Sequence, residues 1–127
     1  MKAKANEANK IYSMYDEEVQ TTMKNIHRFL INKYKRIQNE WLAPLSILAD
    51  NFSIFYQCRD AIRNDGLMVT DRFGAAIKHP LIKVQVDAQI QIIKLLNEFG
   101  LSPKAAAKLN DDTNEEDEDN SPISNFI

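Results

Sequence analysis

The chain has 127 residues, the size of one domain, and its 44% hydrophobic content can bury a modest core, so a second folded domain is not expected. The net charge of −2 conceals a division, because all sixteen Lys and Arg lie at or before Lys108 while seven of the eighteen carboxylates lie beyond it. One cysteine, Cys58, excludes an internal disulfide and a thiolate metal cluster; no run approaches the roughly 18 apolar residues of a membrane span, and no signal peptide is expected, which points to the cytoplasm.

Residues 1–15 are polar at first and then gain apolar residues with no clear period, which predicts a flexible arm, either throughout or ending in helix. Periodicity begins at Asp16. Val19, Met23, Ile26, Leu30, Tyr34 and Ile37 recur at helical spacing and predict a helix over about 16–37. Asp16, Glu17 and Glu18 open this segment and Lys33, Lys35 and Arg36 close it, the order that suits the helix dipole.

The chain is expected to bend over 38–44, where Asn39 can cap a turn and Pro44 fits the first turn of a second helix. That helix runs to about Asn64. Its stripe is Leu45, Leu48, Phe52, Phe55 and Ile62, widened by Tyr56, Cys58 and Ala61, and Gly66 ends it. Residues 67–78 place two short apolar stretches around Asp71-Arg72-Phe73-Gly74, consistent with a small hairpin or an extended loop.

Pro80 starts a third long helix that ends at Gly100. It has two apolar faces: Leu81, Val84, Ala88, Ile92, Leu95 and Phe99 form one, and Ile82, Val86, Ile90, Ile93 and Leu96 another about 140° away at 100° per residue. Lys83, Asp87, Gln91, Lys94 and Glu98 form a narrow polar strip between them. A helix this apolar must be covered over most of its girth. It is either the central helix of a small bundle or a helix whose second face meets another subunit.

Ser102 and Pro103 read as the start of a short last helix reaching Leu109. Residues 1–110 carry sixteen cations against eleven carboxylates, a net of +5. Beyond them Asp111, Asp112, Glu115, Glu116, Asp117, Glu118 and Asp119 make an acidic tail over 111–127 that is expected to stay disordered. Ile123, Phe126 and Ile127 follow, and read either as apolar anchors for a partner or as frayed apolar residues. The elements sum to a mainly α protein, a small helical bundle over 16–110 with a short β-hairpin between the second and third long helices.

The candidates for chemistry are few. Gly66, Gly74 and Gly100 are isolated and form no phosphate-cradling loop. His27 and His79 lie far apart, and His79, before Pro80 at a helix start, suits capping, so neither a metal nor a cofactor is expected. Lys24, Arg28 and Lys35 fall within about 40° on the first helix, away from its apolar stripe, with Arg36 beside them. Such a row either tracks the phosphates of a polyanion or only solvates the helix.

The stretch from Gly66 to Leu109 holds a Gly after a helix, a turn with Gly74, Lys78-His79-Pro80, a long helix and Glu98-Phe99-Gly100-Leu101-Ser102-Pro103. With Asp50-Asn51-Phe52 and Phe55-Tyr56 upstream, this order resembles the small terminase subunits of tailed phages, whose Gly-Leu-Thr-Pro-Ser turn here has Ser102 in place of Thr. The family commonly has arginines in the last short helix, where Ala106 and Lys108 stand here. The resemblance implies a homo-oligomeric ring that binds viral double-stranded DNA and regulates the ATPase and nuclease of a separate large terminase subunit in the host cytoplasm. It assigns the basic row to DNA, the second face of the third helix to oligomerisation and the apolar end to the large subunit, with no catalysis by this chain. A competing reading is a helical adaptor that binds proteins only.

Overall fold

The computed structural model describes residues 10–101. Three long helices, α1 (Glu17–Tyr34), α2 (Leu42–Asp65) and α3 (Leu81–Glu98), follow one another in the chain. A 3-10 turn, Asn39–Trp41, leads from α1 into α2, and an antiparallel hairpin of β1 (Met68–Thr70) and β2 (Ala76–Lys78) joins α2 to α3. This is the mainly α fold with an inserted hairpin that the periodicities predict. The short helix expected after Ser102 and the segment 111–127 lie outside the described residues.

Glu17 and Glu18 lie in the first turn of α1 and Lys33 in the last, so the charges oppose the helix dipole. Val19, Met23, Ile26 and Leu30 are buried as the stripe predicts, and His27 and Phe29 join them. The helix stops at Tyr34, three residues before the expected end at Ile37. Lys35 takes a left-handed conformation (φ 75°) and gives its N–H to the Ile31 carbonyl at 2.8 Å. This reversal lets Ile37 fold back onto the edge of the core, where a further helical turn would have carried it onward.

α1 runs antiparallel to α2. Arg59 makes two bonds to the Glu18 carboxylate, at 2.9 and 2.8 Å, and one turn along, the Thr22 and Tyr56 hydroxyls meet at 2.9 Å. At the other end Trp41 meets the Tyr34 ring edge-on at 5.4 Å and the Phe99 ring at 6.2 Å. Pro44 is the third residue of α2, where its missing N–H costs nothing. Leu45, Leu48 and Ala49 are fully buried, and Phe52, Phe55 and Tyr56 pack partly exposed around them.

Gly66 ends α2 with φ 88° and ψ 166°, not in the left-handed helical well but in a region open essentially to glycine alone. Its N–H still caps the helix on the Ile62 carbonyl at 2.7 Å. The hairpin turn is built by Asp71, whose carboxylate accepts the N–H groups of Phe73 (2.8 Å) and Ala75 (2.9 Å). His79 then fastens α3 to α2. Its Nδ1 accepts the Leu81 N–H at the helix start at 3.1 Å, so its Nε2–H donates to Asp65 at 2.9 Å.

The core lies between α1, the 3-10 turn and the α2–α3 pair. Ile92 and Phe99 of α3 belong to it with Leu95 and Leu96 packed beside them, and Cys58, Ile62 and Ala88 are buried as well. Val84, on the same stripe but toward the hairpin, is 42% exposed. Residues 10–15, in the stretch expected to be an arm that ends in helix, pack on the bundle and Tyr12 is fully buried.

Two substitutions separate backbone strain from core packing. Gly66→Ala meets no close atom, since its Cβ would lie 3.8 Å from the Met68 carbonyl oxygen, so a loss of about 1–3 kcal/mol in denaturant unfolding would come from the positive φ alone. Leu48→Ala should cost about 2–5 kcal/mol by leaving a cavity, and a smaller loss would place Leu48 outside the core.

Candidate functional site

The uncovered part of α3 exposes most of its second apolar face. Val86, Ile90 and Ile93 are 45–50% exposed, whereas Ile82 and Leu96, the two ends of the stripe, are half-buried. α2 adds Ile47 and Ile54, seven residues apart on one face and both exposed. Periodicity within α3 could not have found them, because they come from a different helix. A groove of about 330 Å³ joins Ile54 to Val84 and Ile90, with Asn51, Asp87 and Gln91 among its walls.

The four basic candidates do not form one helical row. Lys24 and Arg28 are exposed and one turn apart on α1, but Lys35 sits at the left-handed cap and Arg36 beyond it. Arg36 donates to the Gln38 side chain at 3.4 Å. The reversal at Lys35 brings Arg36 to the lip of a second groove, of about 360 Å³, lined by Lys10, Ile11, His27, Ile31, Ile37, Asn39 and Leu42 as well. Lys10 is the residue that the reading of the sequence missed. It lies in the stretch assigned to the arm, and only its docking brings it beside Arg36.

The wall of this groove is fixed by a buried polar pair. The Tyr12 hydroxyl and His27 Nε2 share a hydrogen bond of 2.6 Å, and the two rings meet edge to face. Burial holds the His27 imidazole below its usual titration range and pushes the Tyr12 phenol well above its own. Next to it the Tyr15 phenol, pushed up to about 12 by burial and by its bond to Asp50, ties the same segment to α2. Residues 10–15 are therefore held by two phenols on two helices.

No group of three or more His, Cys, Asp or Glu able to hold a metal occurs among the described residues, and none of their helices is long and apolar enough to cross a membrane. His79 caps α3, the role its place before Pro80 suggests. Ile123, Phe126 and Ile127 lie outside the described residues.

The buried pair generates a pH dependence. In the unfolded chain His27 binds a proton below about pH 6.5, while the folded chain resists that proton, so stability is full above this range and falls as the pH drops through it. Melting temperatures between pH 7.5 and 5.5 should decline for the native chain. The decline should be shallower for His27→Gln, which starts less stable; parallel declines would mean that His27 does not drive it.

A family model described as phage terminase, small subunit, matches residues 24–116, which include α1 from Lys24 onward, all of α2, the hairpin and α3. No curated protein and no solved structure matches the chain significantly. Members of this family serve DNA packaging and are in general not catalysts. Since the match spans most of the sequence, the chain belongs to the phage terminase small-subunit family.

Proposed function

We propose that the chain recognises viral double-stranded DNA for packaging and regulates the ATPase and nuclease of the large terminase subunit, acting as a homo-oligomeric ring in the host cytoplasm without catalysis of its own. The observation that carries this reading is the exposed flank of Val86, Ile90 and Ile93, continued by Ile47 and Ile54 across the α2–α3 pair. Apolar side chains on two antiparallel helices suit the contact between neighbouring subunits, which removes them from water.

DNA binding falls to the basic positions Lys24, Arg28, Lys35 and Arg36. A ring repeats such cations many times, so modest contacts from each subunit sum along the duplex. With no cluster of base-reading side chains on α1, phosphate contacts and the shape of the duplex supply the recognition. Ile123, Phe126 and Ile127, which follow the acidic run in the sequence, are the contact for the large subunit.

Native mass spectrometry of the full chain should show a closed assembly of many copies, and Ile90→Asp with Ile93→Asp should disperse it. A native chain that stays monomeric or dimeric at micromolar concentration would exclude the ring. Binding to duplex DNA should weaken steeply between ~50 and ~200 mM salt, and each of Lys24→Glu and Arg28→Glu should lower the salt slope by close to ~1. Affinity indifferent to salt would exclude the phosphate contacts, and absence of DNA binding would leave the protein-only adaptor reading in its place. Removal of 121–127 should spare DNA binding but weaken capture of the large subunit, and full capture would reassign that contact.

A further inference from the structure

The groove beside Arg36 is unlike the flank assigned to assembly. Four large apolar side chains converge on it: Ile11 and Leu42 are 37% and 38% exposed, and Ile31 and Ile37 are half-buried. Lys10 and Arg36 stand among them, and no carboxylate lines it. Its volume of about 360 Å³ lies within the range of sites that take a small ligand or a few anchoring side chains. The groove on the α2–α3 flank has Asp87 in its wall and no cation, so an acidic guest is favoured at the first groove and not at the second.

The sequence supplies a guest of the matching chemistry. Seven carboxylates lie between Asp111 and Asp119, followed within four residues by Ile123 and then by Phe126 and Ile127. The chain also leaves the described fold beside the groove. Leu101 bonds back to the Leu96 carbonyl at 2.8 Å and packs on the core, and the neighbouring Phe99 touches Trp41, which sits between the groove residues Asn39 and Leu42. The stretch 102–122 spans up to about 70 Å when extended, at ~3.3–3.6 Å per residue. α2, the longest helix, measures only about 36 Å at 1.5 Å per residue. Reach is therefore not limiting.

We propose that the groove between α1 and the start of α2 is the docking site of the chain's own segment 121–127, with its apolar residues against Ile11, Ile31, Ile37 and Leu42 and the acidic run 111–119 over Lys10 and Arg36. The inference goes beyond the packaging reading and does not rest on it, since it needs neither DNA nor a large subunit. The ionic part of the contact lies at the surface and weakens with salt, while the apolar part does not.

The test uses the full chain with Asn125→Cys carrying a spin label. Cys58 is buried and its thiol is raised by that burial, so the label goes to position 125. Methyl NMR should show the signals of Ile11, Ile31, Ile37 and Leu42 lost to the label while those of Ile54, Val84 and Ile90 persist. Arg36→Glu and, separately, Leu42→Glu should restore the lost signals, and as surface changes both should leave the melting temperature close to that of the native chain. Signals that survive at the groove, or that vanish first on the α2–α3 flank, overturn the proposal. So does loss seen only when spin-labelled chains are mixed with isotope-labelled ones, because the guest would then be a neighbour's segment. The spin-label readout uses neither the oligomer mass nor DNA, so this inference and the packaging reading fail separately.

Discussion

The constraint on which the rest of the structure depends is the reach of α1. Its eighteen residues run along α2 from Tyr34 beside Trp41 to Glu18 beside Arg59, and with the 3-10 turn they cover one side of the α2–α3 pair. Leu45, Leu48, Ala49, Ile92 and Phe99 are buried in the core that results. Ile47, Ile54, Val84, Val86 and Ile90 lie outside that cover and remain in water. The exposed flank thus follows from how the chain distributes its helices.

The polar contacts serve to hold this arrangement in register. Arg59 and Glu18 fix α1 along α2, and Arg59 also lies over the Tyr56 ring, so one guanidinium joins an ion pair to an aromatic column. His79 bonds at once to Asp65 at the end of α2 and to the first N–H of α3, which sets where the hairpin departs and returns. Tyr12 and Tyr15 tie the chain's first described residues to α1 and α2. The Arg59–Glu18, His79–Asp65, Tyr12–His27 and Tyr15–Asp50 contacts join segments far apart in the sequence and so act on the tertiary arrangement. The bond from the Leu81 N–H to His79 is local and caps α3.

The two grooves divide the proposed labour by charge. The flank between α2 and α3 is apolar with a polar strip, a composition suited to a surface that meets its own copy. The groove at the end of α1 combines apolar walls with Lys10 and Arg36 and suits an acidic, apolar peptide. The reversal at Lys35 creates this second site. By ending α1 early it turns Arg36 away from the helical row with Lys24 and Arg28 and sets it opposite the docked residues 10–15.

Local spacing alone determined much of this protein. The apolar stripes located all three helices, Asp71 and Gly74 the hairpin turn, and the string of residues from Gly66 to Pro103 the family. Periodicity also marked α3 as apolar on two faces, because side-chain direction along a helix is fixed by its geometry. It could not decide which face would be covered, since that depends on where α1 ends and how it crosses the other two helices. Nor could it show that Tyr12 belongs to the core, that Lys35 breaks the basic row or that Ile47 and Ile54 extend the flank of α3. Those facts arise from contacts between distant segments, and a local pattern carries no record of what lies opposite it in space.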